Sequence, residues 1–168
     1  RADLGYDLIV PSADVSELRD SLIAAGAGIG DAESWECLRI EAGIFTYGVD
    51  VDSSTTLPEL GEKGIDYKKG CYIGQEVVAK IRYIGHVNRR LVGLRLEGAA
   101  IASANATVSR DGRDVGRVTS SVYSPSLKSP IALAYVRLGP DKPGTTVEVS
   151  IDGNPQKATV TDLPFVSH

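Results

Sequence analysis

The sequence of 168 residues has no methionine, two cysteines and two histidines, and aromatic residues make up only 6% of it. Cys37 and Cys71 form neither a CxxC pair nor a zinc-finger spacing, so a disulfide framework and a zinc site are not expected. Because His86 and His168 are the only histidines, a histidine-based metal site and a Ser-His-Asp triad are not expected either.

Long apolar runs are missing as well. The best run, residues 131–136, stops at Arg137, whereas a membrane helix needs ~20 consecutive apolar residues. With 42% hydrophobic and 24% charged residues, the composition is that of a globular protein and excludes disorder. We therefore expect a cytoplasmic protein without a membrane partner. Since the sequence begins with Arg1 and lacks methionine, we also expect a piece of a longer chain.

The net charge of −4 is unevenly distributed. Residues 1–62 carry 13 acidic residues against 3 arginines, whereas residues 63–95 carry 8 basic residues against 2 acidic ones. This basic segment is rich in glycine, which lets backbone N–H groups approach an anion closely. The charge is equally consistent with a basic face that only balances the acidic part of the fold.

The first half of the sequence predicts a strand and several short helices. A strand pattern covers residues 6–10, and Asp14 then begins a capping-box signature before a helix. A second helix is predicted from about residue 31 to 42, with Trp35 and Leu38 on its apolar face.

From Asn88 onward the apolar residues alternate with polar ones, which indicates β-strands. The predicted strands cover residues 92–96, 115–119, 131–136, 146–151 and 157–160. Asp111-Gly112 and Asp152-Gly153 are hairpin dipeptides. Five or six strands in ~80 residues, with no helix to cover an open sheet, favour a small closed barrel or a sandwich. We divide the chain into residues 1–86 and 87–168.

One candidate site lies at the end of the second predicted helix, around Glu41. A lone glutamate on a helix is usually solvated. The functional alternative is that Glu41 points inward, where its two oxygens would accept from a ligand with two adjacent N–H donors, such as a pterin or guanidine edge.

A second candidate site is centred on Cys71, which follows Lys68 and Lys69. Both lysines, and a third predicted helix that begins near Gly74, favour the thiolate form that attacks, ligates metal or is oxidised. The alternative is a small buried thiol in a tight turn. For Cys37, which has no such neighbours, the buried thiol is favoured.

A third cluster combines Arg82, Arg89 and Arg90 with Tyr83 at the predicted domain junction, where ligand clefts commonly form. Cations interleaved with aromatic residues also occur in nucleic-acid-binding proteins. Here the other aromatic residues form no stacking platform and the chain is acidic, so we do not expect nucleic acid as a partner.

Taken together, these segments resemble the aminomethyltransferase superfamily, which contains the glycine-cleavage T-protein and the YgfZ-type folate-binding proteins. The similar segments are residues 38–48, 69–76, 85–90, 118–120, 124–127 and 131–136. The most specific one, Lys-Gly-Cys-Tyr-x-Gly-Gln-Glu at 69–76, is similar to the YgfZ branch, which acts in iron–sulfur protein maturation or repair. The resemblance implies an α+β fold, in which part of a folate-binding region precedes a small antiparallel β-barrel.

The resemblance also implies a cofactor, partners and a set of site residues. The cofactor is tetrahydrofolate, whose pterin ring Glu41 would bind, and Lys69 and Cys71 match residues inferred to be functional in the YgfZ branch. The further residues expected at the folate site are Arg39, Lys68, Tyr72, Gln75 and Arg82. The expected partners are iron–sulfur client or assembly proteins.

The alternative within the superfamily is a glycine-cleavage aminomethyltransferase, which moves a one-carbon unit from a lipoyl carrier protein to tetrahydrofolate. Family members are much longer than this sequence, and the half without a counterpart here holds the catalytic aspartate of the T-protein. We therefore expect this piece alone to be inactive in aminomethyl transfer.

Overall fold

The fold was taken from a computed structural model, which describes residues 6–61, 65–67, 69–83 and 87–166. Its α-helices are α1 (Val15–Ala24), α2 (Ala32–Glu41) and α3 (Gln75–Tyr83), with short 3₁₀ helices at Ser12–Asp14 and Leu57–Leu60. Its strands are β1 (Arg89–Leu96), β2 (Thr107–Arg110), β3 (Arg113–Ser124), β4 (Ser129–Arg137), β5 (Thr146–Ile151) and β6 (Asn154–Thr161). The predicted α+β fold with a C-terminal barrel is confirmed.

The six strands form a closed antiparallel barrel in the order β1-β4-β3-β2-β5-β6. Both predicted hairpins are confirmed, since Asp111-Gly112 joins β2 to β3 and Asp152-Gly153 joins β5 to β6. All four of these turn residues have positive φ angles, as the tight turns that match the twist of paired strands require. Closure of the barrel joins the first and last strands of the sheet, which would otherwise be open edges.

Two apolar clusters hold the structure together. The first fills the barrel and includes Leu94, Val118 and Val149, all fully buried. The second lies outside the barrel wall, where Ile40 of α2 packs on residues of β1 and β4 such as Leu133. Because β4 is covered on both sides, its apolar run is continuous rather than alternating.

The N-terminal part departs most from the predictions. Residues 6–10 form no strand, α1 buries no residue, and Asp14 makes no side-chain cap bond. Those expectations rested on local pattern alone, and the described residues supply no partner strand or apolar surface for this segment. The strand β2 was not predicted, because Thr107–Arg110 is too short for its alternation to stand out.

The second predicted helix is confirmed, and the side chain of Asp31 caps it by accepting from the backbone N–H of Ser34 at 2.8 Å. Its predicted buried face is wrong, since Trp35 and Leu38 are 65% and 54% exposed. The face that packs on the barrel is instead formed by Arg39, Ile40 and Glu41.

The third predicted helix is also confirmed as α3, which follows Gly74 with a φ of 88°. It contacts the 3₁₀ helix Leu57–Leu60, and its Val78 is buried. The division of the chain between residues 86 and 87 stays a prediction. Among the described residues, no helix is both long and apolar enough to span a membrane.

Candidate functional site

The last turn of α2 lies against the barrel and buries the carboxylate of Glu41. Its Oε1 accepts a hydrogen bond of 2.5 Å from the hydroxyl of Ser124, and its Oε2 accepts one of 3.2 Å from Ser126. The backbone carbonyl of Glu41 accepts from the N–H groups of Phe165 and Val166 at 2.8 and 3.2 Å. The glutamate is therefore not a solvated surface residue but a buried acceptor between helix and barrel.

The carboxylate has acceptor capacity beyond these two serine bonds. An ionised carboxylate offers about four lone-pair positions, of which the two hydroxyls of Ser124 and Ser126 occupy two. The thiol of Cys37 lies one turn earlier on α2, half-buried, and donates to the carbonyl of Tyr123 at 3.7 Å. Burial, followed by the negative charge of Glu41, raises the pKa of Cys37.

Arg39 forms the second buried group of this turn. Its Nε and Nη2 make a bidentate pair with Glu36 at 2.8 and 2.6 Å, and its Nη1 donates to Asp50 at 2.9 Å and to the carbonyl of Ile44 at 3.1 Å. Nη2 also donates to Ser120 at 2.9 Å. Burial opposes the charge of Arg39, but Glu36 and Asp50 outweigh burial and raise the pKa of the guanidinium.

All five N–H donors of Arg39 are therefore used by residues of this chain. A guanidinium saturated in this way has no donor left for a ligand. The geometry gives Arg39 a structural role, and its expected part in cofactor binding stays a prediction.

Asp50 is the acceptor opposite Arg39 and is equally saturated. Its Oδ2 accepts from Arg39 and from the backbone N–H of Thr46, both at 2.9 Å. Its Oδ1 accepts from the hydroxyls of Thr119 and Ser120, at 2.5 and 2.6 Å. The side chain of Asp50 has no exposed surface, so this ion pair joins α2, the loop after it and β3 in a buried network.

A β-bulge brings the two hydroxyls to Asp50. Successive side chains of a regular strand point to opposite faces, yet Thr119 and Ser120 both donate to the same carboxylate oxygen. The register between β3 and β4 shifts between Val118 and Ser120. The extra residue re-aims the following side chain, as bulges commonly do next to functional sites.

The Cys71 segment lies on a different element from Glu41, ahead of α3. Cys71 is exposed and is not in a disulfide, so the alternative of a buried thiol is wrong for it. The ammonium of Lys69 lies 4.9 Å from the ring centre of Tyr72, within the range of a cation–π contact. Gln75 is half-buried at the start of α3. Lys68 and the side chain of Arg82 lie outside the described residues.

Two arginines of the third cluster, Arg89 and Arg90, have different surroundings in the structure. Arg89 forms an ion pair of 2.9 Å with Glu59, and its guanidinium carbon lies 4.3 Å from the ring centre of Tyr135. Arg90 lines a cleft of about 480 Å³ between the end of α2, the 3₁₀ helix Leu57–Leu60 and the barrel. That volume is typical of small-molecule clefts.

Sequence reasoning missed the residues that surround Glu41 and Arg39. Asp50, Ser120 and Ser126 were not candidates, because a lone aspartate in a loop, a serine in a strand and a serine in a turn carry no local signal. Ser120, Ser124 and Ser126 were noticed only as parts of segments with a family resemblance. Their role depends on the packing of α2 across β3, which local pattern does not reveal.

The barrel and the helices before it are similar to known proteins. Residues 89–167, which include all six strands, match the family described as "Glycine cleavage T-protein C-terminal barrel domain". The solved structure of glycine cleavage system aminomethyltransferase T from Bartonella henselae matches 94% of the chain, with a TM-score of 0.85 and 25% sequence identity. The T-protein resemblance thus extends from the barrel into the helices before it.

Curated relatives match almost the whole chain. "Aminomethyltransferase" of Nostoc sp. is 39% identical over 96% of the chain, and that of Rippkaea orientalis is 37% identical over 96%. The chain spans only 43% and 44% of the lengths of these two relatives, and 45% of the Bartonella protein.

These matches correct the expected function. The prediction of a YgfZ-like protein in iron–sulfur maturation or repair is wrong, since the matching relatives carry the name aminomethyltransferase. The prediction weighted one short segment, residues 69–76, above the similarity of the rest of the chain. The aminomethyltransferase alternative is the better supported of the two.

Proposed function

We propose that this chain forms part of a glycine-cleavage aminomethyltransferase, which transfers a one-carbon unit from an aminomethyl group on a lipoyl carrier protein to tetrahydrofolate. The observation that carries the proposal is the combination of a T-protein barrel at residues 89–167 with 37–39% identity to aminomethyltransferases over 96% of the chain. The proposal concerns the complete protein, of which the chain supplies the barrel and the turn that holds Glu41.

Within that protein we assign Glu41 to the pterin ring of tetrahydrofolate. A pterin edge presents two adjacent N–H donors, and a carboxylate accepts such a pair through its two oxygens. Ser124 and Ser126 hold the carboxylate by one hydrogen bond to each oxygen, which fixes its orientation and leaves further lone pairs for a ligand. Burial strengthens such bonds because water does not compete for them.

The segment before α3 supplies groups suited to the rest of the cofactor. Tetrahydrofolate carries an anionic glutamate tail, and Lys69 provides a cation next to the ring of Tyr72. Gln75, at the start of α3, offers an amide that donates and accepts hydrogen bonds. We assign Lys69, Tyr72 and Gln75 to the binding of the cofactor outside the pterin ring.

The deciding experiment uses the complete protein that contains this chain. The protein is mixed with a lipoyl carrier protein bearing the aminomethyl group and with tetrahydrofolate. We expect release of ammonia together with methylene-tetrahydrofolate in equal amounts, since the amino nitrogen leaves as the carbon is transferred. A protein that forms neither product and binds no tetrahydrofolate in calorimetry would refute the proposal.

A further inference from the structure

The strongest unassigned feature is the buried network around Asp50. We propose that Asp50 is a positioning residue for Glu41: acting through Arg39, it fixes the last turn of α2 on the barrel and thereby holds the Glu41 carboxylate in place for its ligand. The nature of that ligand rests on the proposed function, whereas the holding of the turn rests on this chain alone.

Three consecutive residues attach this turn to the rest of the chain. Arg39 binds Asp50 and Ser120, Ile40 is 1% exposed in the apolar cluster on the barrel wall, and Glu41 binds Ser124. Residues two apart on a helix point about 200° away from each other. Arg39 and Glu41 therefore bind the barrel side of the structure from opposite sides of Ile40. The turn cannot rotate without breaking one of these two contacts.

The chemistry of the pair favours a role beyond stability. A buried ion pair can often be replaced by apolar residues of similar volume without loss of stability, because burying two charges is costly. The pair of Arg39 and Asp50 has instead a full set of directional hydrogen bonds, and a strand bulge brings Thr119 and Ser120 onto Asp50. Directional hydrogen bonds of this kind allow only one position of the helix turn. Apolar packing restricts the position of a helix much less.

The accessibility of the Cys37 thiol depends on the position of the last turn of α2. The thiol lies one turn before Glu41, donates to the carbonyl of Tyr123 and is half-buried. If the last turn of α2 loosens, this thiol becomes more accessible to a labelling reagent. The rate of Cys37 labelling in this chain, with Cys71 replaced by serine, therefore measures the placement of the turn without any assay of activity.

The test compares Asp50→Asn with the matched control Asp52→Asn. Asp50→Asn keeps the shape of the side chain but removes the charge opposite Arg39. Asp52 is exposed, and its carboxylate accepts from the backbone N–H and the hydroxyl of Ser54 in its own turn. We expect labelling of Cys37 to become about tenfold faster in Asp50→Asn, as for the loss of a charged hydrogen bond, and to stay unchanged in Asp52→Asn.

The complete protein provides the second readout. We expect Asp50→Asn to raise the dissociation constant of tetrahydrofolate about tenfold, with kcat at saturating folate close to that of the unmodified protein, since only binding depends on Glu41 being held. Val149→Ala, which leaves a cavity in the barrel core away from α2, should lower the thermal midpoint without either effect.

A milder variant covers the case in which Asp50→Asn does not fold. Ser120→Ala removes one hydrogen bond each from Arg39 and Asp50. Its control, Ser121→Ala, removes a bond to the carbonyl of Ile131. We expect the same two effects, each about threefold.

The experiments distinguish a failure of the inference from a failure of the proposed function. Unchanged Cys37 labelling and unchanged folate affinity in Ser120→Ala and in Asp50→Asn would overturn the inference. If the unmodified complete protein binds no folate, the proposed function fails. Faster Cys37 labelling in Asp50→Asn than in Asp52→Asn would then still support the holding of the turn by Asp50, and equal rates would refute it.

Discussion

The carboxylate of Glu41 at the end of α2 and the hydroxyl of Ser124 at the end of β3 share a hydrogen bond of 2.5 Å, and both residues are buried. This bond joins a helix to a barrel strand 83 residues further along the chain. From the local sequence alone, Glu41 would be expected in solvent. The bond instead places its carboxylate at a buried junction, where water does not compete for the remaining lone pairs. The proposed binding of a pterin depends on this placement.

Replacement of Glu41 tests that binding directly. In the complete protein we expect Glu41→Gln to weaken tetrahydrofolate binding about 10- to 100-fold, because the amide can no longer accept two charge-assisted hydrogen bonds. Isothermal titration calorimetry measures the change. The control is Glu33→Gln, an exposed position in the first turn of the same helix, which should bind folate normally. Equal affinities for the two variants would remove Glu41 from the site.

The two cysteines are expected to differ in reactivity. Cys71 is exposed, whereas Cys37 is half-buried and has a raised pKa because of burial and the nearby charge of Glu41. Since the thiolate is the reacting form, a maleimide or disulfide reagent at neutral pH should modify Cys71 well before Cys37. Mass spectrometry of peptides containing each cysteine follows the two rates, and faster labelling of Cys37 would contradict its described environment.

The barrel could be predicted from the sequence because its signals are local. Alternation along the strands and the Asp111-Gly112 and Asp152-Gly153 turns depend on neighbours in the chain, and both turns formed as expected. The orientation of α2 could not be predicted in this way. Its apolar residues Trp35 and Leu38 are exposed, while two of its charged residues, Arg39 and Glu41, face the barrel.

The reason lies in partners that are distant in sequence. Arg39 and Glu41 are buried only because Asp50, Ser120 and Ser124 supply matching hydrogen bonds, and an isolated charge at those positions would stay in water. An apolar pattern on a helix therefore predicts its buried face only when the surface that it meets is apolar too. The resemblance of one segment, residues 69–76, was likewise a poorer guide to function than similarity over the whole chain.

Alkaline pH is expected to destabilise the fold. Burial raises the pKa of both Cys37 and Tyr135, so the folded chain holds these protons more tightly than the unfolded chain does. Their contribution is complete at neutral pH, and the free energy of unfolding should fall as the pH rises above about 8.5, where an unperturbed cysteine ionises. Urea unfolding at a series of pH values measures this.

Two variants show how much of the loss of stability at high pH comes from Cys37 and how much from Tyr135. Cys37→Ser should flatten the first part of the decline, and Tyr135→Phe the part above about pH 10, where an unperturbed tyrosine ionises. The decline that each variant removes is measured against the unmodified chain in the same series of urea unfolding experiments. Stability that rises between pH 8 and 10.5 would contradict the described burial of both groups.

The close approach of β3 to β4 at Gly116 should tolerate no side chain. A Cβ atom there would lie 2.1 Å from the backbone oxygen of Tyr135, and backbone cannot move aside as a flexible side chain can. We expect Gly116→Ala to cost about 3 kcal/mol or more, which corresponds to a fall of about 6–12 °C in thermal midpoint. The matched control is Gly30→Ala, because a Cβ at Gly30 meets no atom within 4 Å.

Gly116→Ala also tests whether the register of β3 and β4 affects the position of α2. Gly116 precedes the bulge that brings Thr119 and Ser120 onto Asp50. A shift of β3 away from β4 at Gly116 should therefore disturb these two hydroxyls as well as the barrel. We expect labelling of Cys37 to accelerate in Gly116→Ala, at temperatures below its thermal midpoint, but not in Gly30→Ala. Loss of stability with unchanged Cys37 labelling would show that α2 is held independently of the bulge.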